Sequence, residues 1–562
     1  MTFKHNRHKH RFARTAVASF MVLLTTTQVF GAEEAASAPV PQNEVVARLQ
    51  AALAAQQKQL DALQQTIAQQ QKLIEQASQS SLRPNLGSVA SVAPMIPVPA
   101  KAIPVFPAPQ AAPAASASKN PCEAAPDSNA VPAYLRLGST CIIPVGFMDL
   151  TSVWRDKNAG SSLGSNFGSV PYNNGVPGNL SEFRFTPQNS RLGFRADGDW
   201  KGTHFIGYNE FDFLGTSASN GIGVTNGAFV PRLRLFWIDV RKGQWEFLGG
   251  QSWSMLTPNR KGISALPGDL FYSQVVDVNY MAGLTWTRQP GVRVLYHPNK
   301  TVTMGVSLEN PNQYAGGQAG GPKITPPSAL AGYLGSQLDD TSSSYLSTPN
   351  LAPDVIVKVA FDPSAKLHAE VAGIERTFKT YTLATNQHFS KVGGGVSLNA
   401  NLEVVKNFRV VTNNYWSDGG GRYLFGQVPD VILRADGSPS PIHAGGTVDG
   451  VEWTINNTLL YAYYGAIYAG RNTALDANGK SLVGYGFTGS GNGQNRAINE
   501  LSFGFNQTMW KNPRYGAVNF MGQYEWLQRS PWYVAPNAPK AAHDNTIYFN
   551  IRYTLPGSMP NF

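Results

Sequence analysis

Cationic side chains recur at alternate positions in short apolar runs of this 562-residue chain. Arg191 and Arg195 interleave with Leu192, Phe194 and Ala196; Arg232 and Arg234 interleave with Leu233, Leu235 and Trp237. Successive side chains of a strand face opposite sides. Each run therefore places its cations on one face and its apolar residues on the other. The same parity puts Arg293, Lys358, Arg409 and Arg552 on the polar face of their own runs. A guanidinium grips a carboxylate through two parallel hydrogen bonds. A wall of such groups would concentrate organic anions. It would equally be neutralised by pairing with Glu210, Asp212, Glu309 or Glu525. Nothing suggests catalysis. The nine histidines are scattered, and none stands at metal-ligand spacing with a cysteine or carboxylate. Gly393, Gly394 and Gly395 lie inside an alternating run with no phosphate-loop pattern. The expectation is a protein that is not an enzyme and needs no cofactor.

The positioning elements are strands. Ile547, Phe549, Ile551, Tyr553 and Leu555 alternate with Asn550, Arg552 and Thr554. Val302, Met304, Val306 and Leu308 alternate with Thr303, Gly305, Ser307 and Glu309. Val355, Val357, Val359 and Phe361 alternate with Ile356, Lys358, Ala360 and Asp362. Such period-2 runs, with an apolar face out and a polar face in, mark a membrane barrel. Charged residues make up only 14% of the chain, well below the roughly 25% usual in soluble domains. Short turns fall near 197–202, 241–244, 297–300, 362–366, 404–407, 456–457 and 511–514. Long polar segments lie near 156–190, 215–230, 254–284, 310–353, 380–390, 417–450, 471–496 and 529–545. Seven turns and eight loops are fifteen connections, and these join sixteen antiparallel strands. Trp154, Trp200, Trp237, Trp416, Trp510 and Trp526 fall near strand ends, as interfacial girdles require. The segment 254–284, with Arg260, Lys261, Asp269 and Asp277, is the candidate for a loop that narrows the lumen. Arg552 falls near the periplasmic end of the last strand.

The N-terminal quarter differs. Residues 1–32 read as a secretory signal: Lys4, Arg7, Lys9, Arg11 and Arg14, then an apolar stretch, then Gly31-Ala32. No later run is long and apolar enough for a membrane helix, so a spanning chain must close a barrel. Residues 44–79 carry heptads, with Val46, Leu53, Leu60, Ile67 and Ile74 at a, and Leu49, Gln56, Leu63, Gln70 and Ala77 at d. This is an α-helical coiled-coil pattern, read as a trimer. Residues 80–133 form a Pro/Ala-rich linker, and 134–562 form the barrel. The formal charge of +10 includes five bases in the signal; without them 40 basic face 35 acidic residues. A nucleic-acid partner is not indicated. Cys122 and Cys141, the only cysteines, stand either as a disulfide closing a short loop or as two thiols.

Three stretches resemble the DcaP-like porin family: QNSRLGFR at 188–195, PRLRLFWIDV at 231–240 leading into GGQSWS at 249–254, and VSLENP at 306–311. With the coiled coil and linker, the likeness runs over residues 44–562. It implies a homotrimeric channel in the Gram-negative outer membrane, held by outer-membrane lipid; the coil would then lie in the periplasm, hold three N-termini together and reach towards peptidoglycan. It implies passive diffusion of small hydrophilic solutes, some members favouring dicarboxylates. The alternatives are a non-selective or phosphate-preferring pore, and a trimeric envelope tether or adhesin. One departure stands out: a seven-residue tail, PGSMPNF, follows the last strand.

Overall fold

A computed structural model describes residues 132–215, 229–271, 274–317, 320–338 and 351–558. It also describes Gln50, Ala54 and Gln57, which are helical and exposed. The expected signal, the rest of the coiled coil, the linker up to residue 131, Cys122 and Phe562 lie outside the described residues.

Residues 140–554 form one closed antiparallel barrel. Its wall strands are β1 (Thr140–Arg155), β2 (Glu182–Thr186 continuing as Arg191–Trp200), β3 (Thr203–Gly215) and β4 (Val230–Lys242). Next come β5 (Trp245–Trp253), β6 (Arg288–Tyr296), β7 (Val302–Glu309) and β8 (Asp354–Ser364). Then follow β9 (Leu367–Thr382), β10 (Gln387–Val405), β11 (Phe408–Asp418) and β12 (His443–Ile455). The wall ends with β13 (Thr458–Ala469), β14 (Asn495–Asn512), β15 (Gly516–Pro531) and β16 (Ala542–Thr554). Each strand pairs with its successor, and β16 closes on β1 from Phe147↔Thr554 to Arg155↔Thr546. Closure removes every free edge, the condition for spanning hydrocarbon.

The seven short turns lie at one end of the barrel. The turn between β2 and β3 has Lys201 and Gly202 at φ of 48° and 73°, the left-handed pair that suits a two-residue hairpin. Asn407 and Asn456 take the same region at 67° and 52°, as asparagine can at low cost. The eight longer connections lie at the other end. One is shorter than the sequence implied. Thr380, Thr382 and Gln387 remain strand, so the expected 380–390 loop is only residues 383–386. Polar residues there continue the strands beyond the apolar band.

The outer face is apolar: Phe194, Phe236, Val292, Val306, Val357, Leu398, Phe503 and Phe549 are all exposed. The inner face holds Asp197, Glu210, Arg234, Ser307, Lys358, Asn413 and Glu500, all buried. Two expectations fail on β4. Leu235 and Trp237 were expected outside with Leu233, but they are 0% and 4% exposed and point inward. Between Glu210 and Phe211 the β3–β4 register shifts, so the partner strand gains a residue there. Such a bulge flips the parity of everything beyond it. Trp237 therefore leaves the outer girdle and stacks on Tyr208 inside, with ring centroids 5.1 Å apart. Trp154, Trp200, Trp416 and Trp510 are exposed on the outside.

Candidate functional site

The lumen is mostly filled by its own loops. The connection 254–287, between β5 and β6, turns inward and crosses to the far wall. Buried backbone N–H groups need acceptors, and the opposite strands supply them from side chains. Met255 N–H donates to Glu309 of β7 (2.7 Å), and Gly262 N–H donates to Asp362 of β8 (3.0 Å). Thr285 N–H donates to Asn413 of β11 (3.1 Å), Ala282 N–H to Glu500 of β14 (2.8 Å), and Val276 N–H to Gln523 of β15 (3.0 Å). Polar inward positions that looked like free lumen chemistry are thus used to hold this segment.

Arg260 is its main charged anchor. It forms a fork with Glu452 of β12 at 2.8 and 2.6 Å and donates to Phe271 O at 2.6 Å. Burial opposes its charge, but Glu452 outweighs burial and lifts the Arg260 pKa above its ordinary value. Asp277 accepts from Ser165 N–H (2.9 Å) and from the Tyr548 hydroxyl (3.1 Å). Burial raises the Asp277 pKa against these bonds, and it does the same to Asp269. Arg260→Ala would leave the Glu452 carboxylate buried without its partner. The expected cost is on the order of 3 kcal/mol, read as a lower urea midpoint for tryptophan fluorescence.

Gly283 explains how the segment gets so near the wall. Its φ is 92°, and a Cβ there would sit 2.3 Å from both Thr447 O and Ala466 O. Only glycine tolerates that backbone and that approach. Around it, Phe167, Tyr172, Ala282, Ile324, Leu424, Ile432 and Tyr485 from several connections pack into one apolar cluster. The loop-end half of the lumen is therefore narrowed by packed side chains.

On the turn side of this cluster, a cavity of about 1440 Å³ reaches the turn end, where Lys300, Asn407, Asn456 and Lys511 line it. Seven cations line it (Arg191, Arg260, Lys261, Lys300, Arg409, Lys511, Arg552) against six carboxylates (Glu210, Asp269, Asp277, Asp362, Glu403, Glu452). One feature of its wall is specific. Arg191 from β2 and Arg552 from β16 both sit over the Phe147 ring, 4.9 and 3.9 Å from its centroid. Arg552 donates to Asp149 at 3.0 Å, which Asn189 also reaches at 3.2 Å. Arg191 lies 3.9 Å from Glu210. Both Nε–H groups are buried without an acceptor among the described residues.

The eight cations singled out from sequence all point inward, but they do not act together. Arg191, Arg409 and Arg552 line the cavity. Arg409, held by Glu403 at 3.5 Å and by Asn401, stands on the wall opposite the other two. Arg195 is clamped to Asp197 (2.7 Å), and Arg232 to Asp212 (2.7 Å). Arg234 bridges Glu210 and Asp212 at 2.7 and 2.8 Å. Lys358 is buried against Glu370 at 2.8 Å. Arg293 donates to Ser252 and to Trp253 O. These five brace the wall. Arg552, two residues from the turn-side end of β16, sits beside Arg191 over the Phe147 ring. The sequence reading missed Arg376 and Arg422, which bind Asp354 at 2.9 and 2.6 Å and fasten the 419–442 connection. An RTF and a GRY in polar surroundings carry little signal for that. Cys141 is fully buried and disulfide-bonded.

No family model matches the chain, and no curated protein matches it. Solved structures do. The outer membrane channel DcaP of Acinetobacter baumannii matches with a TM-score of 0.54 at 16% identity, over 75% of this chain and 98% of that one. OmpT of Vibrio cholerae matches at 0.40 and 10% identity, over 75% of this chain and 99% of its own. A mutant of Rh. blastica porin matches at 0.34 and 11% identity, over 74% of this chain and 99% of its own. The sixteen-stranded barrel of this chain therefore shares the fold of the DcaP channel.

Proposed function

We propose that this chain is a DcaP-like outer-membrane porin through which small hydrophilic solutes diffuse passively, organic anions such as dicarboxylates being favoured. The observation that carries the anion preference is the Arg191–Phe147–Arg552 pair on the cavity wall. Both guanidiniums sit over the Phe147 ring, and each has a buried Nε–H without an acceptor among the described residues. A carboxylate entering the cavity meets charge-assisted donors already held in place by Asp149 and Glu210. The near balance of seven cations and six carboxylates makes this a local preference, not a uniformly positive pore.

The apolar outer band supports a bilayer location. The turn end then faces the periplasm, where residues 44–79 would form a trimeric coil close to peptidoglycan. The test is single-channel recording in planar bilayers. A conducting homotrimer gives openings in three coupled steps. An absence of conductance would favour the envelope tether.

The disulfide is a separate prediction. With two cysteines in the chain, Cys141 is expected to pair with Cys122. Intact mass after alkylation should show no label before reduction and two labels after it.

A further inference from the structure

The turn end of the barrel carries a rim of unmatched positive charge. Six of its seven turns present an exposed lysine: Lys201, Lys242, Lys300, Lys366, Lys406 and Lys511. None of the six forms an ion pair or donates a side-chain hydrogen bond among the described residues. The remaining turn has Asn456 and Asn457 instead. At the seam between β16 and β1, which no turn joins, Arg136 is exposed.

The carboxylates nearest this rim do not offset the lysines. Asp199 is held by His204 at 3.0 Å, Asp362 by His368 at 2.8 Å and Glu403 by Arg409 at 3.5 Å. Asp239 and Glu246 are buried on the inner face and share Arg241 at 2.7 and 3.3 Å. Negative charge at this end is thus turned into the lumen or already matched.

The lysines also sit at a defined height. Trp200, Trp245 and Trp510 are exposed on the outer wall. Trp200 and Trp510 directly precede Lys201 and Lys511, and Trp245 is the cross-strand partner of Lys242. The Lys201 ammonium lies 4.9 Å from the Trp200 ring centroid. Outward indoles of a barrel settle at headgroup level. The turns are too short to carry the ammoniums far from them, and a flexible lysine stem lets each charge snorkel to the phosphates.

We infer that this rim binds the phosphates of anionic phospholipids in the leaflet on the turn side of the membrane. An ammonium is a compact charge with three donors, which suits a phosphate diester. A zwitterionic lipid brings its own cation to the same place and gains less. At about 0.1 M salt the field of the rim is screened within about 10 Å. The headgroups, and not a polymer deeper in the periplasm, are therefore what it meets. The inference rests on the outer-membrane reading above.

The test uses the full-length protein in phosphatidylcholine vesicles containing phosphatidylglycerol. One lipid or the other carries brominated acyl chains, and quenching of tryptophan fluorescence gives their relative occupancy against the barrel. A phosphate on one lysine is favoured about fivefold. Averaged over lipids that touch no lysine, wild type should prefer phosphatidylglycerol about twofold. Molar salt should remove the preference. Lys201→Gln, Lys242→Gln, Lys366→Gln and Lys406→Gln together spare the two lysines that edge the cavity. This variant, shown to be folded by heat-modifiable gel mobility, should bring the ratio close to parity, and Lys201→Gln alone should lower it less. A wild-type ratio of one, or a folded variant that keeps the wild-type ratio, would overturn the inference. So would a variant that loses sedimentation with purified peptidoglycan while its lipid ratio stays unchanged. A chain that never enters vesicles as a heat-modifiable barrel would instead sink the channel reading. A conducting barrel without lipid preference would sink this inference alone.

Discussion

Gly283→Leu should open the channel. A side chain at that position meets two wall carbonyls at 2.3 Å and a φ of 92°. The left-handed backbone alone costs about 1–2 kcal/mol for a residue with a Cβ, and the overlap adds more. The wall strands β12 and β13 are held by continuous pairing from Ala444↔Ala469 to Ile455↔Thr458 and will not yield. The connection 254–287 must lift away, breaking the Ala282–Glu500 and Thr285–Asn413 bonds on either side. Single-channel conductance should therefore rise clearly above wild type while gel mobility still reports a closed barrel. Unchanged conductance would mean that this segment does not limit the current.

Arg191→Gln with Arg552→Gln should abolish most anion preference. Removing a unit charge about 7 Å from a passing ion changes its energy by roughly 0.6 kcal/mol at a dielectric of 80 and roughly 2.4 kcal/mol at 20. Since about 1.4 kcal/mol is tenfold, each substitution should lower the anion-to-cation permeability ratio at least about threefold. The double variant should lose more than either single one, because both guanidiniums share Phe147 and their effects are coupled. The difference should shrink in molar salt, where the screening length falls to about 3 Å. Arg234→Gln is the useful contrast. That guanidinium is buried between Glu210 and Asp212, away from the cavity lining. Its loss should lower barrel stability far more than it alters selectivity.

The strand register was largely legible because a barrel wall must alternate, and Val302–Glu309 or Val355–Phe361 carry that alternation without interruption. The short turns were legible because Gly243, Asn407 and Asn456 are residues that turns demand. What failed was local. At Arg234–Leu235 an extra residue shifted the register, and period-2 counting has no way to register an insertion. The site was less legible than the fold. Inward orientation followed from parity, but pairing did not. Whether an inward arginine meets solute or carboxylate depends on the strand beside it and on loops from across the lumen. The 254–287 segment did carry a signal. Leu256, Ile263, Leu270, Phe271, Val275, Val276 and Leu284 make it far more apolar than a surface loop, and every one of them is buried.

The central claim is that anions are favoured by Arg191 and Arg552 in a lumen narrowed by its own loop. The most direct measurement is the zero-current potential of the wild-type channel in a potassium chloride gradient across a planar bilayer. It is repeated with the succinate salt. The account predicts a potential of anion-selective sign in both salts, which the Arg191→Gln, Arg552→Gln double variant brings close to zero. A potential of cation-selective sign, or an anion-selective potential that the double variant leaves untouched, would contradict it.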